Sequence, residues 1–252
     1  MTDLKSVARR AIGLLDLTNL NDVCTQADID DLARRAATPY GNAAALCIWS
    51  QWVKHAKSSV APGIRIATVA NFPSGDGGAK RAALETAKAL EDGADEVDIV
   101  LPYRAILQGA PQKASEVVAA CRKAVPANRI LKVIIEAGEL KTRGHILLAS
   151  NIALDGGADF IKTSTGKVAV NATLENAEIM LGAIRRGGFA AGFKAAGGIK
   201  TTQDAGDYLA LADAMMGPDW VSPRTFRFGA SGVLSDLLAT LEGAKAKTSS
   251  GY

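Results

Sequence analysis

The chain has 252 residues, 48% of them hydrophobic, which is enough to bury a substantial core and within the usual size of a single α/β barrel. The formal net charge of +3 is small, and acidic and basic residues alternate, which excludes the basic stripe of a nucleic-acid-binding protein. No window reaches the roughly 18 apolar residues of a membrane span, and the N-terminus lacks the apolar region of a signal peptide. The 3 cysteines are widely spaced, which argues against a disulfide framework. We therefore expect a soluble cytoplasmic protein with no nucleic-acid or membrane partner.

Eight short apolar segments recur at intervals of about thirty residues, and their length and composition predict β-strands. The segments between them have the apolar spacing of helices, and a further short helix is predicted before the first strand, over residues 3–13. The predicted strands are Leu14–Thr18, Ala44–Trp49, Arg65–Phe72, Glu96–Leu101, Leu131–Glu136, a strand within Gly157–Lys167, Gly192–Gly198 with its turn, and Arg224–Ser231.

Two of the predicted helices carry clear start signals. Thr25 with Asp28, and Thr201 with Asp204, have the spacing of a capping box, in which each side chain bonds the other residue's backbone N–H. These signals support the alternation of strands and helices along the chain.

Regular alternation of strands and helices requires a parallel sheet, and eight such units usually close into a barrel. We therefore predict an α/β fold, a (β/α)8 TIM barrel with a short N-terminal helix, forming a single domain over residues 1–252 with a flexible C-terminal tail at 246–252. A doubly wound open sheet is the alternative, but such sheets carry a glycine-rich turn after the first strand. The corresponding turn here, Asn19–Asp22, contains no glycine.

A weak internal repeat places two charged residues at corresponding positions of two predicted strands. Residues 93–98 align with residues 157–162, so that Asp98 on the fourth strand corresponds to Lys162 on the sixth. Alternate strands of such a barrel contribute side chains to the same interior layer. We therefore expect Asp98 and Lys162 to lie a few ångströms apart inside the barrel, with Lys194 of the seventh strand facing the same cavity.

Two lysines beside an aspartate in a poorly solvated cavity suit amine chemistry. A second cation disfavours the charged form of a neighbouring lysine, and the free amine can attack a carbonyl group to form a Schiff base. A nearby carboxylate can then move protons through water. The alternative interpretation is an internal salt bridge, between Asp98 and one lysine, that only fills the barrel.

Glycine-rich turns follow the last three predicted strands, and two of these turns carry a lysine. Barrels often bind phosphate at the loops after strands seven and eight, through backbone N–H groups and a helix N-terminus. The alternative is that the glycines only end strands, but three such turns on neighbouring strands favour a phosphate site. The turns are Thr165-Gly166-Lys167, Ala196-Gly197-Gly198-Ile199-Lys200 and Gly229-Ala230-Ser231-Gly232.

A few other side chains are weaker candidates. Asp16 on the first strand could orient a substrate hydroxyl or cap a turn, and Lys132 on the fifth could be a third inward lysine or pair with Glu136. Cys47 is interpreted as a small core residue, because no histidine lies near it in sequence. Both histidines fall in predicted helices, so we expect neither a histidine triad nor a metal site.

The sequence resembles the 2-deoxyribose-5-phosphate aldolase family from about residue 12 to the C-terminus. The matching segments are Leu15–Thr18, Ile66–Val69, Asn71–Pro73, Gly93–Asp98, Leu101–Arg104, Leu131–Leu140, Gly157–Thr173, Gly192–Gly198 and Arg227–Ser231. The resemblance implies a class I aldolase on a (β/α)8 barrel, which uses no metal and no other cofactor. Such enzymes reversibly cleave 2-deoxy-D-ribose 5-phosphate to acetaldehyde and D-glyceraldehyde 3-phosphate.

The resemblance also implies roles for individual residues. Lys162 would form the Schiff base, Lys194 would favour the neutral form of its amine, and Asp98 would take part in a proton relay. Tyr252 matches in position a C-terminal tyrosine that assists proton transfer in some members. The residues that we predict to bind the substrate, mostly at its phosphate, are Asp16, Thr165, Gly166, Lys167, Gly197, Gly198, Lys200, Gly229, Ser231 and Gly232.

The sequence departs from the family pattern at four positions. Ser50 and Ala195 stand where proline is common, Lys200 where arginine is frequent, and Gly232 where serine is frequent. The last two lie near the expected phosphate. Exchanging a planar guanidinium for a point charge, and losing a hydroxyl, could weaken phosphate binding or loosen selectivity.

The resemblance leaves two alternative functions open. Another Schiff-base aldolase, or a transaldolase-like enzyme, would use the same lysine chemistry on a different acceptor aldehyde. A non-catalytic sugar-phosphate-binding protein would bind the phosphate and form no imine. The expected partners are a small sugar phosphate and aldehydes, with a homodimer left open as the assembly.

Overall fold

The computed structural model describes residues 3–243, which contain a closed barrel of parallel strands. Neighbouring strands in sequence pair with one another, and the first strand closes the barrel by pairing with the last. The barrel strands are β1 (Leu15–Asn19), β2 (Ala45–Ile48), β3 (Arg65–Ala70), β4 (Glu96–Val100), β5 (Ile130–Ile134), β6 (Phe160–Lys162), β7 (Gly192–Ala196) and β8 (Phe226–Ala230). The predicted (β/α)8 fold is therefore confirmed.

Helices cover the outside of the barrel. They are α1 (Leu4–Ile12), α2 (Gln26–Ala36), α3 (Val53–Ser59), α4 (Gly78–Glu91), α5 (Tyr103–Leu107), α6 (Gln112–Ala124), α7 (Ala137–Leu140), α8 (Arg143–Asp155), α9 (Leu174–Gly187), α10 (Thr202–Met216) and α11 (Val233–Glu242). The short N-terminal helix α1 precedes β1 and packs against α10 and α11. Within residues 3–243, every helix is too short or too polar to cross a membrane.

The predicted helix signals form the expected structures. Thr25 and Asp28 make both bonds of a capping box at the start of α2, and Thr201 and Asp204 do the same for α10. A third helix, α9, is capped by Thr173, which accepts a hydrogen bond from a backbone N–H of its first turn. These caps fix where the helices leave the C-terminal ends of the strands.

Two strands end earlier in the structure than the sequence predicts. β3 stops at Ala70 instead of Phe72, and β5 stops at Ile134 instead of Glu136. In both cases a residue with a left-handed backbone follows, Asn71 and Glu136, each with a φ of 54°. A single residue with positive φ turns the chain out of the extended conformation.

Several short elements have no counterpart in the predicted pattern. They are a hairpin of two-residue strands (Ala37–Thr38 and Gly41–Asn42), a 3-10 turn (Ser50–Trp52), and the helices α5 and α7. Each is too short to show a helical or alternating period in sequence. The predicted tail at 246–252, with Tyr252, lies outside the described residues.

The apolar core lies mainly between the barrel and its helices, because alternate residues of each strand face opposite sides of the sheet. On β1, for example, Leu15 and Leu17 belong to this core while Asp16 faces inward. The inward face of β2 and β3 holds a small apolar cluster that includes Cys47. The remaining strands fill the interior with charged side chains.

We predict that Gly192→Ala destabilises the fold. A methyl group at this position in β7 would lie 2.4 Å from the ring of Phe160 on β6, which is buried and has little room to move. The free energy of unfolding should fall by roughly 1–3 kcal/mol, measured by denaturant titration.

Gly144→Ala is the matched control, because a methyl group there meets no atom within 4 Å. It should leave the free energy of unfolding unchanged or raise it by up to about 1 kcal/mol, since alanine is the better helix former. Equal losses in the two variants would contradict the predicted contact between β6 and β7.

Candidate active site

Seven buried charged side chains meet inside the barrel, and each comes from the inward face of a strand. All are at most 3% exposed. They are Asp16 on β1, Glu96 and Asp98 on β4, Lys132 on β5, Lys162 on β6, Lys194 on β7 and Arg227 on β8. We call these seven residues the interior ion network.

Asp98 is the centre of the interior ion network. Its Oδ2 accepts hydrogen bonds from the Nζ of Lys162 at 2.9 Å and from the Nζ of Lys194 at 2.8 Å. Its Oδ1 accepts one from the Nζ of Lys132 at 2.7 Å. The predicted proximity is therefore confirmed: Asp98 and Lys162 lie within hydrogen-bond distance of each other inside the barrel, and Lys194 joins them.

The other carboxylates bind the remaining cations. Asp16 accepts a hydrogen bond from Lys194 at 2.5 Å through Oδ2 and pairs with Arg227 through Oδ1. Glu96 pairs with Lys132 at 2.6 Å and with Arg227 at 2.9 Å. Arg227 also donates from Nε to a backbone carbonyl, so its guanidinium is held on several sides. The side chain of Asp16 therefore contacts a catalytic candidate, Lys194, from inside the protein.

The network fixes the charge of most of its members. Burial alone raises the pKa of Asp98, but Lys132, Lys162 and Lys194 hold it well below its usual range. Burial likewise opposes charging of Lys194, yet Asp16 and Asp98 raise its pKa above the ordinary lysine value. The carboxylates around Lys132 raise the pKa of that lysine to about 12. Lys132 and Lys194 are therefore cations at neutral pH, and Asp98 is an anion.

Lys162 differs from the other network cations in its surroundings. Among the described residues its Nζ has a single carboxylate partner, Asp98, whereas Lys132, Lys194 and Arg227 each contact two or more. With every group ionised, the network would hold four cations and three anions. Lys162 is therefore the network cation that carboxylates hold least tightly.

Gly229 on β8 makes room for Lys194. A methyl group on this glycine would lie 2.9 Å from Cε of Lys194 and 3.0 Å from Cβ of Ala196. Gly229 was predicted to bind substrate. The structure places it against the lysine side chain.

The turns after β6 and β7 lie side by side at the C-terminal mouth of the barrel. Gly166, Gly197 and Gly198 have φ values of 83°, 79° and 86°, which other residues rarely adopt. Ser164 Oγ donates to the carbonyl of Ala196 at 2.6 Å and ties the two turns together. These are two of the three turns predicted to bind phosphate.

The remaining phosphate candidates surround the same mouth. Lys167 Nζ donates to the carbonyl of Leu20, after β1, at 2.8 Å, so its side chain reaches across to the first strand's loop. Ser231 and Gly232 lead into α11, whose N-terminus has no side-chain cap. Lys200 is exposed in the turn after β7, and its backbone N–H bonds to the carboxylate that caps α10. An uncapped helix N-terminus presents N–H groups that suit an anion.

Of the weaker candidates, Lys132 takes one of its two predicted roles. The cysteine and the two histidines take no part in the interior ion network. Lys132 is a third inward lysine and does not bond Glu136. Cys47 is a fully buried free thiol of the inner apolar cluster. His55 lies on α3 beside an aspartate and His145 on α8, both outside the interior ion network. Within residues 3–243, no cluster of His, Cys, Asp and Glu is placed to hold a metal ion.

Three residues of the site were not predicted to act there. Glu96 and Arg227 complete the interior ion network, and Glu136 lies buried after β5 against the backbone of Thr165. The inward position of Glu96 could have been predicted. It lies two residues before Asp98, and side chains two residues apart on a strand point to the same face. In the sequence, Arg227 is a single charged residue within a strand of aromatic residues, and no local pattern indicates which carboxylates it pairs with.

We predict that Asp98→Asn strongly destabilises the protein. The substitution keeps the shape but leaves three lysines around an uncharged amide, and an uncompensated buried charge costs roughly 3–5 kcal/mol. Denaturant titration measures this loss. The control is Asp31→Asn on α2, whose carboxylate pairs with one exposed and one partly exposed arginine and should contribute less than about 1 kcal/mol. Equal effects of the two substitutions would contradict the central role of Asp98.

Comparison with known proteins identifies the family of the chain. Residues 10–237 match the family model described as DeoC/LacD family aldolase. A curated protein named deoxyribose-phosphate aldolase, from Agrobacterium fabrum (strain C58), is 53% identical over 98% of this chain and 97% of its own length.

Solved structures share the fold. A crystal structure from Toxoplasma gondii ME49, provisionally described as a deoxyribose-phosphate aldolase, matches with a TM-score of 0.85 and 26% identity over 95% of both chains. A deoxyribose phosphate aldolase from Aeropyrum pernix, described as tetrameric, shares the fold with a TM-score of 0.74 and 22% identity over 94% of this chain and 96% of that one. The match to the family model over most of the chain and the high identity to its curated relative show that this protein belongs to the DeoC/LacD family of aldolases.

Proposed function

We propose that the protein is a class I deoxyribose-phosphate aldolase, which reversibly cleaves 2-deoxy-D-ribose 5-phosphate to acetaldehyde and D-glyceraldehyde 3-phosphate. One observation carries the proposal: inside the barrel the amine of Lys162 has one carboxylate partner among the described residues, and it lies beside a charged Lys194. Such an amine is suited to attack a carbonyl group. The name of the 53%-identical relative supports the choice of substrate.

In the cleavage direction, the neutral amine of Lys162 adds to the C1 aldehyde of the open-chain sugar. Loss of water from this adduct gives a protonated imine, which withdraws electrons from C2. The C3 hydroxyl then gives up its proton, the C2–C3 bond breaks, and D-glyceraldehyde 3-phosphate leaves. The remaining enamine on Lys162 takes a proton at C2, and hydrolysis of the imine releases acetaldehyde and the free lysine.

Asp98 and Lys194 would manage the protons of this sequence. Asp98 Oδ2 accepts hydrogen bonds from both Lys162 and Lys194, so this carboxylate can relay a proton to or from the reacting amine while Lys194 keeps its charge. Asp16, behind Lys194, keeps that lysine charged and oriented. A water molecule is proposed to connect Asp98 with the C3 hydroxyl.

The phosphate of the substrate would bind at the C-terminal mouth, above Lys162. The glycine turns after β6 and β7 and the uncapped start of α11 offer backbone N–H groups there, and Lys167 and Lys200 supply positive charge. We propose Thr165, Ser231 and Gly232 as further contacts of the phosphate. Tyr252 is proposed to assist proton transfer, as the family resemblance implies.

The proposed setting is the cytoplasm, in the breakdown of deoxynucleosides. No nucleic acid, membrane or cofactor is proposed as a partner. We propose a homodimer as the assembly, whereas the fold relative from Aeropyrum pernix is described as tetrameric.

The proposal predicts that the purified protein releases acetaldehyde from 2-deoxy-D-ribose 5-phosphate, measured with a coupled dehydrogenase assay. Lys162→Ala should lower kcat by a factor of at least about 10³, because no other amine of the network is free to form the imine. Lys123→Ala, which removes an exposed lysine of α6, should keep wild-type activity.

Two outcomes would redirect or reject the proposal. Activity only with other aldehydes, in a panel of acceptors tested in the synthesis direction, would identify a different Schiff-base enzyme of the same chemistry. Phosphate-dependent sugar binding without any turnover would identify a non-catalytic binding protein.

A further inference from the structure

Glu136 occupies an unusual position beside the candidate active site. It follows β5 with a φ of 54°, and its side chain is fully buried. Its Oε1 accepts a hydrogen bond from the backbone N–H of Thr165 at 3.0 Å. A long charged side chain is rarely buried without a purpose, and rarely adopts this backbone conformation.

The second oxygen of Glu136 is the more informative one. Oε2 is buried and has no hydrogen-bond partner among the described residues. The ionisable groups around the carboxyl are Lys162 on β6, Tyr103 on α5 and Glu139 on α7. Burial raises the pKa of Glu136, in spite of the hydrogen bonds from Thr165 and the charge of Lys162. A carboxyl group shifted in this direction holds its proton more readily than an exposed glutamate.

The backbone on either side of Glu136 clamps the segment that carries Lys162. The N–H of Ile135 donates to the carbonyl of Lys162 at 3.0 Å, and the N–H of Ala137 donates to the carbonyl of Thr163 at 2.8 Å. Gly138 lies so close to the loop after β6 that a methyl group would reach within 2.0 Å of the carbonyl oxygen of Val170. These two backbone hydrogen bonds join the segment 135–137 to Lys162 and Thr163. The side chain of Glu136 adds a third bond, to the N–H of Thr165 in the turn that follows.

We propose that Glu136 is a positioning residue that sets substrate specificity: its carboxyl group fixes the turn Thr165–Lys167 in the conformation that receives the substrate's phosphate. The inference rests on the proposed aldolase function and adds to it a residue that does not itself take part in the lysine chemistry. Glu136 acts through Thr165, whose N–H it holds, and so through Gly166 and Lys167.

The chemistry of the site suits this role. An ionised carboxylate beside the turn would repel a phosphate dianion, whereas a protonated carboxyl adds no negative charge. The unpartnered Oε2 then leaves one hydroxyl or acceptor available for a bridging water. A role in stability alone would not need a carboxyl group with an unsatisfied oxygen, because such a group costs free energy when buried.

The test compares two variants of the full-length protein on two substrates. Glu136→Met keeps the length of the side chain and removes both oxygens, and Glu136→Gln keeps an oxygen that can accept from Thr165. The substrates are 2-deoxy-D-ribose 5-phosphate and unphosphorylated 2-deoxy-D-ribose, which differ only at the group that the turn would receive. The proposal predicts that Glu136→Met lowers kcat/KM for the phosphorylated sugar about tenfold, mainly through KM, as expected for a hydrogen bond that orders a binding turn.

The same variant should change kcat/KM for the unphosphorylated sugar less than about twofold, and Glu136→Gln should restore most of the preference for phosphate. Melting temperatures and imine trapping with acetaldehyde verify that both variants are folded and that Lys162 still reacts. Equal losses on the two substrates, or a Glu136→Gln variant as impaired as Glu136→Met, would overturn the proposal. Failure of the proposed function is distinguishable, because the wild-type protein itself would then cleave neither sugar.

Discussion

The carboxylate of Asp98 makes the interior of this barrel possible. Three lysine amines lie within 2.7 to 2.9 Å of its two oxygens, a spacing that like charges cannot adopt without an anion between them. Two ammonium groups about 4 Å apart repel by roughly 4 kcal/mol at the effective dielectric of a protein. Each amine belongs to a different strand, so the position of Asp98 also fixes how β5, β6 and β7 place their side chains around it.

The rest of the interior follows from this constraint. Asp16 and Glu96 bring Arg227 into the network and hold the two lysines that stay charged, while Gly229 leaves space for Lys194. Counting contacts within residues 3–243, Lys162 has the fewest anionic partners of the network cations, and it is slightly exposed, at 3%. Buried ion pairs are often neutral for stability, and here they leave one amine, that of Lys162, with a single carboxylate partner among the described residues. We infer that the network is kept for its chemistry.

The sequence predicted the architecture and the central contact, because both depend on regular spacing. The βα period gave the barrel, and the repeat of Gly93–Asp98 in 157–162 placed Asp98 beside Lys162. The partners of Arg227 could not be predicted, since barrel closure brings β8 against β1 across more than two hundred residues. Nor could the conformation of Glu136, because nothing in a single sequence marks a glutamate with positive φ. The individual catalytic roles rest on the family resemblance, since spacing alone also allowed a structural salt bridge.

The central claim is that Lys162 is the one reactive amine of the interior ion network. The most direct measurement is to incubate the protein with acetaldehyde and sodium borohydride, which reduces any imine to a stable secondary amine, and to map the modified peptide by mass spectrometry. If the claim holds, a single ethyl group is found on Lys162, and Lys132 and Lys194 are unmodified because several carboxylates hold their charges. Modification of Lys132 or Lys194 in place of Lys162, or no modification at all, would contradict it.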